Sequence, residues 1–294
     1  MQLSLYRIQQ QAQAMMCYDH ISIFNEKDLE PSFVDQFKKE LVKGTRGFGY
    51  WCWKPQVILQ ELKKMNEGDV LEYTDAGCHL NPKGKKRLME YFGIAHRDGI
   101  LGFQSRALNA TPDNFHGHFF PDYQWTKGDV LDYFNVRNRK DILESGTIGA
   151  TIIFIKKCPD SINIVQQWLK AYQDDFSLAT DVPSRRPNIE GFIENRHDQA
   201  LWSILCKLNK VKTESACEHY PSAVFAPVGS DKSNYSGEDW SMFEHYPILS
   251  KRDRNSVVNL SIQDRYIKRP LRTIKKITLK FISIFIPIGA RGIK

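Results

Sequence analysis

Residues 68–78, GDVLEYTDAGC, join a strand to an abrupt stop. After the turn at Gly68 and Asp69, Leu71 and Tyr73 alternate with Glu72 and Thr74, the period-2 pattern of a β-strand. The alternation ends at Asp75, where Ala76 and Gly77 let the backbone bend sharply and leave room for a bulky ligand to approach it. Ligands of open α/β sheets bind at the carboxyl ends of strands, and Asp75 falls at such an end. Asp75 either turns the chain by bonding its own backbone, or holds a Mg²⁺ or Mn²⁺ that bridges diphosphate oxygens, since hard cations prefer oxygen ligands.

Helices and strands alternate outward from this strand. On its N-terminal side, Leu5, Ile8, Ala12 and Met15 have helical spacing, HISIF (20–24) reads as a short strand and FVDQFKKELV (33–42) as a second helix. A further helix begins at Pro55 and buries Ile58, Leu59, Leu62 and Met65. On the C-terminal side come a helix (KGKKRLMEYF), a strand (DGILGFQ), an irregular aromatic loop over 109–126 and a helix (KGDVLDYF). GTIGATIIFIKK (146–157) is the clearest β-run, and SINIVQQWLKAYQ and NRHDQALWSILCKLN are amphipathic helices separated by a polar stretch, 174–194, with few core candidates. This alternation predicts an α/β domain over 1–250 with a mixed, mainly parallel sheet flanked by helices.

The net charge of +7 over 294 residues is not spread evenly. Residues 251–294 hold 12 of the 41 Lys and Arg and two of the 34 Asp and Glu, which leaves 29 bases against 32 acids in the rest. A basic nucleic-acid groove across the main domain is therefore not expected. In the tail, Ile267, Leu271, Ile274, Phe281, Ile282 and Phe285 fall near one helical face among many cations. Such a segment suits an anionic membrane surface; docking on the protein's own core is the alternative. The apolar run FISIFIPI is far short of the roughly 20 residues that span a bilayer. The six cysteines are scattered without a CxxC pair or a leading signal peptide, so a cytosolic protein with reduced thiols is expected.

Three other stretches carry chemistry. GTRGFGYWCWKP (44–55) combines Gly44, Gly47 and Gly49 with Arg46 and Lys54, and Lys54 stands just ahead of a helix N-terminus, where anions bind. The stretch lacks the ending of a Walker loop. In extended chain Trp51 and Trp53 share one face, where they either fill the core or stack on a base or sugar. ENRHDQ (194–199) puts His197 and Asp198 at the start of a helix, as a cap or as a base, metal ligand or sugar contact. His116 and His118 have a spacing that metal sites sometimes use, but no Cys or acidic cluster adjoins them.

In this order, RGFGYWCWKP, GDVLEYTDAGC, SGTIGATIIFIKK and ENRHDQALWSIL resemble a family of bacterial GT-A-type glycosyltransferases of cell-surface polysaccharide (O-antigen or capsule) synthesis, over about residues 1–250. The resemblance implies a single GT-A-like nucleotide-binding domain and transfer of a sugar from a nucleotide-sugar donor to a glycan or lipid-linked acceptor. It implies a divalent cation, Mn²⁺ or Mg²⁺, on Asp75, with Ala76 and Gly77 beside the donor. Arg46 and Lys54 would meet phosphate charge, Tyr50, Trp51 and Trp53 would wall the donor pocket, and Asp198 with His197 would serve the acceptor or catalytic side. Gly77 stands where the family's D-x-D motif has its second carboxylate. The tail, 251–294, would hold such an enzyme peripherally at the inner face of the plasma membrane. Metal-dependent nucleotidyl or phosphoryl transfer uses similar groups, and a non-catalytic glycan-assembly adaptor with a degenerate transferase domain is the other alternative.

Overall fold

A computed structural model describes residues 2–108, 118–220, 240, 243–252 and 283–285. Its strands are β1 (Ser22–Ile23), β2 (Val70–Asp75), β3 (His79–Leu80), β4 (Ile100–Gln104), β5 (Ile152–Lys156), β6 (Lys212–Ser215), β7 (Ile248–Leu249) and β8 (Ser283–Phe285). Six of them form one sheet in the order β1-β8-β2-β5-β4-β6, and β3 pairs with β7 in a small second sheet. The main helices are α1 (Gln2–Met15), α2 (Trp53–Lys64), α3 (Lys85–Asp98), α4 (Pro159–Asp174) and α5 (Asp198–Leu208).

The sheet is mixed, and the expectation of a mainly parallel one is corrected. Only β4 and β6 are parallel neighbours; β2 with β5, β4 with β5, β2 with β8 and β1 with β8 are antiparallel. The α3 crossover does return β4 in the direction of β2, as helix-strand alternation requires. It leaves a gap one strand wide, and β5 enters that gap from the opposite direction, so β2 and β4, which point the same way, are not hydrogen-bonded to each other.

Period-2 alternation divides the core. Leu71, Tyr73, Ile153 and Ile155 face α2, α4 and α5, where they meet Ile58, Leu62, Trp168 and Trp202. Val70, Phe154, Leu101 and Phe103 face α1 and α3, where they meet Ile8, Met15, Leu88 and Phe92. Both faces of the sheet are covered, which is why IIFI in β5 is an unbroken apolar run. The polar stretch 174–194, with its few core candidates, contributes Leu178 and Ala179 to the first of these cores.

Most of the tail lies outside the described residues, and with it the amphipathic membrane segment. Its described part corrects one feature: Ser283–Phe285 is an extended strand between β1 and β2, not part of a helix. β-branched and aromatic residues favour strands, and here the strand satisfies backbone groups along the edge of β2.

Candidate functional site

The end of β2 is where the predicted residues converge. Asp75 closes the strand and donates its backbone N–H to Thr151 O at 2.9 Å. The following turn is held from α1, because Arg7 Nη2 donates to Ala76 O at 3.1 Å and to Cys78 O at 3.2 Å. Ala76 and Gly77 are half-buried there. Tyr73, two residues back and so on the same face, donates its hydroxyl to Asp75 Oδ1 at 2.7 Å.

Lys54 approaches from the first turn of α2. Its ammonium is 3.3 Å from Asp75 Oδ1, 2.8 Å from Asp198 Oδ2 and 3.0 Å from Ala150 O. Burial works to strip its proton, but the Asp198 and Asp75 carboxylates outweigh it and hold its pKa above the ordinary value. Burial also pushes Asp198 above the usual carboxylate range, against the pull of Lys54. Asp75 differs from its partners in access: its side chain is 31% exposed, against 4% for Lys54 and 9% for Asp198.

A second group adjoins the first through the 197–198 peptide. Gly47, Phe48, Gly49, Tyr50 and Trp51 all have positive φ, from 48° to 83°, and Tyr50 N–H donates to Arg46 O at 2.7 Å. The run is a left-handed helical turn, which costs about 1–2 kcal/mol for each residue that is not glycine. Specific bonds hold it: Tyr172 Oη donates to Tyr50 O at 2.8 Å, and Trp53 Nε1 to Gly47 O at 3.0 Å. The turn delivers Trp51 flat against His197, with centroids 5.6 Å apart and planes at 28°. Arg46 and the Tyr50 hydroxyl both donate to Asp181, each at 3.1 Å.

His197 itself has φ 55° and ψ −119°, a further strained residue beside the strained Phe48, Tyr50 and Trp51. Its Nδ1 is 2.7 Å from Ala179 O, and since a carbonyl only accepts, Nδ1 carries the proton. Burial, aided by Arg46, lowers its pKa and keeps the ring neutral. Nε2 therefore presents a lone pair; it has no hydrogen-bond partner among the described residues, with Asp181 Oδ1 3.7 Å away.

The structure thus joins Asp75, Lys54 and Asp198 in one cluster and Arg46, Tyr50, Trp51 and His197 in another. It separates Trp53, whose ring is buried in the core; the left-handed turn replaces the extended geometry that would have put it beside Trp51. Lys54 and Arg46 are both occupied by carboxylates instead of standing open for phosphate. Tyr73 and Asp181 complete the clusters without having been anticipated. Tyr73 reads as a core position, and nothing in the polar stretch marks Asp181.

No group of three or more His, Cys, Asp or Glu suited to a metal occurs among the described residues. His116 lies outside them, and His118 Nδ1 accepts from Gly146 N–H at 3.0 Å. Next to the clusters, over the amino end of β5 and the carboxyl end of β4, is a cleft of about 330 Å³. Thr151, the backbone partner of Asp75, lines it, as do Arg196 and Gln199, which flank His197 and Asp198.

Comparison with family models, curated proteins and solved structures finds no match. The residues and their geometry alone carry the functional reading.

Proposed function

We propose that the chain is a GT-A-type glycosyltransferase that moves a sugar from a nucleotide-sugar donor to a surface-polysaccharide acceptor, lipid-linked and presented at the inner face of the plasma membrane. The observation that carries the reading is Asp75: a partly exposed carboxylate at the carboxyl end of a central strand, fixed by Tyr73 and by Lys54, two residues that bury themselves to do so. Turn formation alone would not require a buried lysine beneath it.

The roles follow from access and charge. Asp75 faces the donor. Lys54, locked by Asp198, fixes Asp75 without meeting the ligand, and a divalent cation on Asp75 would supply the positive charge where negative charge grows on the leaving diphosphate, favouring the transition state over the ground state. Asp198 is a positioning residue in this arrangement. His197 is neutral, and its Nε2, buried and without a hydrogen-bond partner among the described residues, is the proton acceptor for an attacking hydroxyl that enters beside Asp181. Trp51 and Tyr50 set its orientation.

A divalent cation enters the proposal in one role. With a single open carboxylate, Asp75 would be its protein ligand and diphosphate oxygens would supply the rest, a division that Mg²⁺ accepts. Bound there, it would neutralise diphosphate charge. The basic residues of 251–294 would hold the enzyme at an anionic membrane surface. No helix among the described residues is long and apolar enough to cross a membrane.

The deciding experiment screens nucleotide sugars for release of nucleoside diphosphate, with and without Mn²⁺. Turnover should vanish in Asp75→Ala and persist in Asp160→Ala, an exposed control. Release of pyrophosphate from nucleoside triphosphates would instead favour nucleotidyl transfer, and no turnover of any donor would sink the proposal.

A further inference from the structure

The cleft beside the clusters has a chemistry of its own. Three cations, Arg196, Lys251 and Arg252, line it, and no Asp or Glu is among the described residues that do. Each cation is braced on an aromatic face: Arg196 Cζ is 4.3 Å from the Trp125 ring, Arg252 Cζ 5.3 Å from Tyr220 and Lys251 Nζ 5.0 Å from Trp240. Stacking of this kind fixes a guanidinium plane while leaving the N–H groups on its rim to donate. Arg196 spends Nη2 on Glu194 at 2.9 Å, and Glu194 is not a lining residue.

Arg196 and Arg252 repel one another. Burial pulls the Arg196 pKa down, Glu194 draws it back up, and the charges of Arg252 and Arg46 lower it again. Like charges held together at the mouth of a half-enclosed cleft raise the free energy of the empty protein, and an anion relieves it. The floor adds a polar group in reserve. His219 is buried, its Nδ1 is 2.8 Å from Ser250 Oγ, and its Nε2 has no hydrogen-bond partner among the described residues. Ser250 N–H donates to His219 O at 2.9 Å, which ties the segment that carries Lys251 and Arg252 to that floor.

We propose that Arg196, Lys251 and Arg252 form a phosphate-ester site, separate from the Asp75 cluster, with Phe120 and Tyr220 walling the group that the phosphate carries. Arg196 comes from the ENRHDQ stretch, but Lys251 and Arg252 lie outside the motifs around Asp75, and the site stands whether or not the chain transfers sugar. Two sources share this chemistry: the diphosphate of a nucleotide and the phosphate of a prenyl-type acceptor.

The test is titration calorimetry of the full chain with inorganic pyrophosphate, UDP, GDP and geranyl diphosphate. Wild type should bind at least one of them. Arg252→Glu, at an exposed position, should weaken it by tenfold or more, and Arg196→Gln should weaken it in the same direction, while the exposed control Asp160→Ala changes it by less than about twofold. A nucleotide that binds more tightly than pyrophosphate would identify the first source, and tighter geranyl diphosphate the second. Failure of wild type to bind any of the four would overturn the site, as would affinity unchanged in Arg252→Glu with its fold intact by circular dichroism. Binding that depends on Arg252 without turnover of any sugar nucleotide would keep the site and remove the transferase. Turnover with binding indifferent to Arg252 would do the reverse.

Discussion

Lys54 Nζ stands 2.8 Å from Asp198 Oδ2, with both side chains more than nine-tenths buried. The contact joins the first turn of α2 to the first turn of α5 beneath the end of β2, and Asp75 shares the same ammonium. One cation thus compensates two carboxylates, and the position of Asp75 depends on a pair that the ligand never has to touch.

Removing that cation should be costly. Lys54→Met leaves Asp198 buried beside Asp75 without compensation, and breaking a buried pair from one side costs about 3–5 kcal/mol. Urea unfolding should show a loss of that order. Adding Asp198→Asn to Lys54→Met should cost much less than Asp198→Asn alone, because the charge is no longer stranded. Strictly additive losses would mean that the two residues do not act as a pair.

Glu72 provides a stability effect with a defined pH window. It is fully buried in β2, accepts from the Thr74 hydroxyl at 2.7 Å and from the Tyr18 hydroxyl at 3.1 Å, and burial raises its pKa from 4.5 to about 7. The folded state binds this proton more tightly than the unfolded chain does. Its contribution is therefore fully present below pH 4.5 and lost as pH rises through about 7. Glu72→Gln, which mimics the protonated form, should stabilise the protein at pH 8 by about 3 kcal/mol and change little at pH 4. Equal effects at both pH values in denaturant melts would contradict this.

How far the sequence reveals the site depends on where each contact originates. Asp75 is legible because a strand period stops there, and α2 is legible from Pro55 and its apolar spacing, so the meeting of Lys54 with Asp75 was within reach. The insertion of β5 between β2 and β4 was not. It depends on which strand fills a gap, and IIFI reads the same whether its neighbours run parallel or antiparallel. Asp181 and Arg252 were equally hidden. Each is an ordinary surface charge in its own segment and acquires a role only through partners on distant elements, Arg46 for the one and Arg196 for the other. The five-residue left-handed turn is half legible. Gly47 and Gly49 permit it, but Phe48, Tyr50 and Trp51 adopt it only because Tyr172 and Trp53 hold their neighbours.

The pH dependence of turnover should report His197. Its pKa lies below 6.5, through burial first and the Arg46 charge second. A base must be unprotonated, so kcat/KM should fall on the acid side with an apparent pKa below that of free histidine. Arg46→Gln removes a cation that disfavours the imidazolium, and should move this acid limb to higher pH. A limb that stays in place in Arg46→Gln and persists in His197→Asn would assign the base to another group.

Gly47 is the sharpest test of the left-handed turn. Its φ is +57°, and a Cβ there would meet the Trp51 ring at 2.4–2.6 Å, closer than any relaxed contact. Gly47→Ala should therefore do two things. The left-handed backbone should cost about 1–2 kcal/mol in stability, and the methyl group should push Trp51 off His197. In Gly47→Ala, Trp51→Ala, the second effect has nothing left to displace, so the double variant should lose less than the sum of the single losses. The same displacement frees the His197 ring from its stack, and should lower sugar-nucleotide turnover in Gly47→Ala as far as in Trp51→Ala alone. Full activity in Gly47→Ala, with additive stability losses, would show that the turn tolerates a side chain and that the Trp51–His197 stack plays no part in the chemistry.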